Sequence, residues 1–179
     1  MTSSILAWSI VALLVFWAVG AYNRLVRLRS EVNASFSQVQ GQMQQLAQLA
    51  LSLAAPTDPQ EAEDEPAFLG QIRAASAQLV ACLEIQRPKP LDHERLAAIA
   101  SASLVLTGAW ERAEREDAHD LAGPQLPTEL TDTRARLVRE TQTAIAQFDA
   151  AVVRYNAAIA QFPALLLAWV FSFKPGRPF

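Results

Sequence analysis

The chain has 179 residues, a formal net charge of -3 and a single cysteine, Cys82. That charge provides no global basic field for nucleic acid, and one cysteine excludes an internal disulfide framework or a cysteine-rich metal site. Hydrophobic residues make up 51% and charged residues 18%, which with the sparse glycine is an all-α composition of one modest domain plus an anchor.

Residues 1–4 form a short N-terminal tail. Residues 5–22 read ILAWSIVALLVFWAVGAY and carry no charge. At about 1.5 Å per residue they just cross a hydrocarbon core of roughly 30 Å. Trp8, Trp17 and Tyr22 lie toward its two edges, where amphipathic rings prefer to sit. AVGA offers small residues for signal cleavage, but Met1–Ser4 contains no Lys or Arg. The basic start of a signal peptide is missing, so the segment is read as an uncleaved transmembrane helix. Arg24, Arg27 and Arg29 follow it and no basic residue precedes it. Basic flanks stay on the cytoplasmic side, which predicts a single-pass chain with its N-terminus out and its body cytoplasmic.

Beyond the span, Leu25, Val32, Val39, Leu46 and Leu53 recur every seven residues, with Phe36, Met43 and Ala50 beside them. This is one apolar stripe on a helix over about 23–54, continuous with the span. Pro56 and Pro59 end it, and the acidic stretch PTDPQEAEDEP reads as a linker. A second helix covers about 66–87, with Phe68, Ile72, Ala75, Leu79 and Cys82 or Leu83 inward, Pro66 in its first turn and RPKP as its stop. The third covers about 92–117, with Asp92 as N-cap and Leu96, Ile99, Leu106 and Trp110 inward. HDLAGPQLP is a loop.

The fourth helix covers about 128–162, from a Thr128 cap to Pro163. Three series run through it at intervals of seven: Ala144, Ala151, Ala158; Ile145, Val152, Ile159; and Phe148, Tyr155, Phe162. Their width is that of a bundle helix facing a core. Short loops make successive helices antiparallel neighbours, so residues 23–162 are expected to form an antiparallel up-down bundle whose fourth helix returns to the membrane. Residues 163–179, PALLLAWVFSFKPGRPF, form an apolar tail too short to span. Leu165, Leu166, Leu167, Trp169, Val170, Phe171 and Phe173, followed by Lys174 and Arg177, suit a segment lying in the membrane interface. Packing against the bundle base or a neighbouring subunit is the alternative.

Reactive chemistry has few candidates. His93 and His119 belong to no HExxH arrangement. Glu116, Asp117, His119 and Asp120 read as solvated surface rather than a metal site, and ERAERED at 111–117 as a wet helix face. Cys82 falls on an apolar stripe and reads as a structural thiol. No enzyme, cofactor or metal is expected. Asn23 and Asn156 both fall toward the membrane end of the paired first and fourth helices. An amide contact across those helices would fix register; the alternative is a pair of interfacial, water-bonded amides.

YNRLVRLRSEV after an N-terminal anchor, VRYNAAIAQFP and the closing FSFKPGRPF together resemble the LemA family of bacterial membrane proteins. The matching residues are Tyr22, Asn23, Leu25, Val26, Leu28 and Arg29 at the front. At the back they are Arg154, Tyr155, Asn156, Phe162, Pro163, Ala168, Phe171 and Phe173. The resemblance implies one N-terminal span, a soluble helical bundle and the bacterial inner membrane. It implies no established activity. The middle departs from the family: a basic Arg-Arg-x-Asp-Leu-Ile-Pro-type motif is replaced here by the neutral MQQLAQLALSLAAP. The expected function is a membrane-anchored, non-catalytic scaffold whose partners are the lipid bilayer, further copies of itself, and other membrane or cytoplasmic proteins. A tethered adaptor or sensor, in signalling or envelope stress, is the alternative.

Overall fold

The computed structural model describes residues 2–53, 67–84, 91–119, 128–162 and 164–179. The acidic linker, the RPKP stop, most of the HDLAGPQLP loop, Asp120 and Pro163 lie outside the described residues, as do the side chains of Glu116, Asp117, His119 and Thr128. The described residues contain the helices α1 (Thr2–Leu53), α2 (Ala67–Glu84), α3 (His93–His119), α4 (Thr128–Ala160) and α5 (Ala164–Val170), and no strand.

Helix α1 is unbroken for 52 residues, roughly 78 Å at the α-helical rise. It is helical from Thr2, inside the stretch read as a tail. It has two environments. From Leu6 to Arg24 none of the described side chains is buried; Trp8 is 75% and Phe16 80% exposed. This part is long and apolar enough to cross a membrane, and 6% of its most apolar window is buried within the protein. Burial begins at Leu25 and recurs at Leu28, Val32, Phe36, Val39, Met43, Leu46 and Ala50. Steps of three and four residues keep one side of the helix inward.

That side meets α4. The Phe36 and Phe148 rings are 5.7 Å apart, Glu31 faces Arg154 at 3.8 Å, and Trp17 meets Phe162 at 5.9 Å. Residue numbers rise along α1 as they fall along α4. The inner face of α4 buries Leu137, Ala144, Phe148, Ala151, Val152, Tyr155, Ala158 and Ile159. Phe162 breaks its series. Helix α4 ends at Ala160, and Phe162 lies exposed in the following turn against the apolar part of α1. The seven-residue spacing continues, but the helix that would have turned this ring inward has stopped.

Helices α2 and α3 pack on each other, and α2 also lies against α1. Ile72, Ala75, Leu79 and Leu83 point inward from α2, with Cys82 half-buried, and Leu96, Ile99, Leu106 and Trp110 do so from α3. Asp92 caps α3: its carboxylate accepts the Glu94 N–H at 3.2 Å. Arg134 of α4 pairs with Glu114 of α3 and lies over the Trp110 ring at 5.1 Å. The buried hydroxyls of Ser76 and Thr141 donate to carbonyls one turn back, so neither is left unsatisfied.

Phe36 and Phe148 are both fully buried at the centre of the α1–α4 contact. Phe148→Ala is expected to cost about 3–5 kcal/mol through lost transfer energy plus a cavity. Exposed Leu104→Ala is expected to cost under about 0.5 kcal/mol. Denaturant unfolding of the detergent-solubilised protein, followed by circular dichroism, measures both.

Candidate functional site

The functional candidate lies where α1 passes from its exposed apolar part to its buried stripe, because α4 and the C-terminal residues converge there. Helix α5 leaves α4 at an angle of 95° and exposes Leu165, Leu166, Trp169 and Val170, with Phe171 following. Leu167 is half-buried and Ala168 buried. After α5 the chain reverses. Ser172 takes a φ of 55°, and the Phe173 N–H donates to the Ala168 carbonyl at 2.9 Å. This is a left-handed helix stop with serine at the position glycine usually fills.

Residues 173–179 then run back along α4 as an extended strap. The Tyr155 hydroxyl donates to the Lys174 carbonyl at 3.1 Å. The Asn156 side chain binds Gly176 twice, donating to its carbonyl at 2.8 Å and accepting its N–H at 2.9 Å. The Phe179 N–H donates to the Asp149 carboxylate at 2.8 Å, and its ring meets Phe148 edge-on at 5.6 Å.

The spacing explains why the strap is extended. Asn156 and Asp149 are seven helical residues apart, about 10.5 Å. Gly176 and Phe179 are three residues apart, about 10 Å when extended. Pro175 and Pro178 hold their φ near -65°, and each disfavours helix in the residue before it. Gly176 is buried, and a Cβ there would stand 2.4 Å from Leu91 Cδ2 and 3.3 Å from Val152 Cγ1. The strap thus passes between α4 and the start of α3 so closely that a side chain at this crossing would have to displace Leu91.

Tyr22 and the Tyr155–Asn156 pair engage the same C-terminal segment. Tyr22 meets Phe171 in a tilted contact at 5.0 Å and Phe173 edge-on at 6.3 Å, while Tyr155 and Asn156 hold Lys174 and Gly176. The expected amide contact across α1 and α4 is corrected: Asn156 has both polar groups committed to Gly176, and Asn23 is exposed. The reading of residues 163–179 as one interfacial tail is corrected as well. Leu165, Leu166, Trp169, Val170 and Phe171 are exposed, whereas Phe173 and the strap pack on protein. Arg24, Arg27 and Arg29 are exposed beside them, and the Arg29 guanidinium lies 5.8 Å above the Phe173 ring. Phe162 and Trp17 border a cleft of about 350 Å³ with Phe16, Gly20 and Arg24. Asp149 was not singled out from the sequence. Its signal was a carboxylate beside Phe148 on the helix face that a proline-spaced segment must cover.

No protein family, curated protein or solved structure matches the chain. Among the described residues, no three or more His, Cys, Asp or Glu side chains gather in a metal-binding group.

Asn156→Ala is expected to release the strap, costing roughly 1–3 kcal/mol. Amide exchange at Gly176 and Phe179 should accelerate at least tenfold while exchange in α1 is unchanged; Asn23→Ala should leave both amides protected. Burial pushes the Tyr155 hydroxyl above its ordinary pKa of 10.0, against a smaller opposing pull from Arg29. The folded pKa lies above the unfolded one, so this contribution is complete below about pH 10 and lost as pH rises through the folded value. Thermal midpoints measured from pH 8 to 12 should fall in that alkaline window, and Tyr155→Phe should flatten the fall.

Proposed function

We propose that this chain is a membrane-anchored, non-catalytic helical scaffold that self-associates at the bacterial inner membrane. In this reading residues 5–22 cross the bilayer once, with the N-terminus out, and residues 23–162 form an antiparallel bundle in the cytoplasm. The observation that carries it is the continuity of α1. One helix bears an exposed apolar segment and, with no break, the buried stripe at the bundle centre. A hydrogen-bonded helix keeps its backbone satisfied on both sides of the lipid boundary, so this junction is rigid.

A second feature supports attachment at more than one point. The exposed side chains of Trp17, Phe162, Leu165, Leu166, Trp169 and Phe171 form a collar where the apolar part of α1 ends. Large exposed apolar patches mark membrane or protein contacts. Helix α5 turns away from α4 by 95°, which suits a helix lying in the membrane interface below an upright bundle. The resemblance to the LemA family places the same features in the same order.

Self-association is favoured over catalysis by what α3 presents. Leu104 and Val105 expose apolar side chains on its outer face, 72% and 47% accessible. The same pair fits the adaptor reading if its partner is a different protein. Crosslinking in native membranes followed by mass analysis separates the two. A ladder of homomeric species is expected for the scaffold. A single foreign partner with no homomeric species would transfer the proposal to the adaptor, and a strictly monomeric chain would count against the scaffold.

A further inference from the structure

A cleft of about 580 Å³ opens between α1, the first turn of α3, α4 and the strap. Arg29 enters it from α1 and Lys174 from the strap; Asp92 and Glu94 enter from α3. The Phe173 ring and Leu91 supply apolar lining, and Asn33 and His93 further polar groups. Among the described residues none of these four charged side chains forms an ion pair, with one another or with any other group. Two of the four are engaged otherwise: Arg29 rests on the Phe173 ring and the Asp92 carboxylate caps α3; the Lys174 backbone is fixed by Tyr155.

We infer that this cleft binds the headgroup of a zwitterionic aminophospholipid, its phosphate on Arg29 and Lys174 and its ammonium on Asp92 and Glu94. Charge decides the class. A bare phosphate or an anionic headgroup meets two carboxylates as well as two cations. An organic cation meets Arg29 and Lys174. A ligand with both signs on one short stem satisfies all four groups. Guanidinium and ammonium groups make strong charge-assisted hydrogen bonds to phosphate oxygens, and carboxylates accept from an ammonium.

Position favours a lipid over a soluble zwitterion. Phe173, part of the lining, also touches Tyr22, which closes the apolar segment. Arg29 lies seven residues beyond Tyr22, about 10 Å along the axis. Helical side chains lean toward the N-terminus, so its head is carried back toward the same level. Phe171 stands exposed against Tyr22, where acyl chains would lie. This inference rests on the membrane reading above.

The test is native mass spectrometry of the full-length protein released from detergent micelles doped with phosphatidylethanolamine or phosphatidylglycerol, with inorganic phosphate in a parallel titration. One retained phosphatidylethanolamine is expected, held at least tenfold more than phosphatidylglycerol. The pair R29Q/K174Q should lose both lipids. The pair D92N/E94Q, in which asparagine keeps the helix cap, should lose phosphatidylethanolamine tenfold and hold phosphatidylglycerol as well or better. Circular dichroism and thermal midpoints confirm that each variant folds. Equal retention of the two lipids by the unaltered protein, or retention unaffected by either pair, would overturn the inference. Displacement of the lipid by millimolar phosphate would reassign the cleft to free phosphate. If the protein instead fractionates as soluble without detergent, the membrane reading itself fails, which is a separate result.

Discussion

The backbone hydrogen-bond ladder of α1 is the constraint on which the other elements depend. Each residue of an α-helix turns the chain by about 100°. Once the apolar segment has a rotational setting, the direction faced by Leu25, Val32 and Val39 is fixed as well. Helix α4 must pack on that side, because Phe148 and Tyr155 require Phe36 and its neighbours for burial. Its end must then arrive beside Trp17, where Phe162 lies. A flexible joint after Tyr22 would free the bundle to turn, and the contacts of Tyr22 with Phe171 and Phe173 would have no defined partner.

The strap closes the base of the molecule by joining elements that are remote in sequence. It touches α1 through Tyr22 and Arg29, α4 through Tyr155, Asn156 and Asp149, and the start of α3 through Leu91. Polar contacts of this kind have strict geometric requirements, and an unpaired buried amide costs more than a paired one gains. They set where the extended chain sits, while Phe179 on Phe148 adds apolar contact. The buried stripes supply the bulk of the stabilisation and the hydrogen bonds supply the position.

The helices were legible in the sequence because each buries one face against a neighbour, and burial imposes a period. The stripe from Leu25 to Ala50, the inward residues of α2 and α3, and the Asp92 cap follow from local rules. The strap was not legible to the same degree. Its bonds join residues 19 to 30 positions apart, and no period announces such a pair. Asn156 shows the difficulty. A primary amide donates and accepts equally well, so its residue type fits a partner on another helix or a backbone segment with equal ease. Phe162 shows the reverse failure, since a spacing of seven carries meaning only while the helix lasts. The sequence did hold one clue, KPGRPF, in which two prolines require an extended path and a glycine permits close approach.

A helix without a break is also a lever. Leu53 lies 31 residues beyond Tyr22, about 46 Å along the axis of α1. Spanning helices tilt to match the thickness of the surrounding hydrocarbon. A change in tilt of about 10° at the membrane moves the Leu53 end sideways by about 8 Å, a distance set by simple rotation of a rod of that length. In the proposed membrane-anchored arrangement the far end of the bundle would be mechanically geared to the bilayer, and a thin or thick patch of membrane would become a lateral displacement many residues away from any lipid.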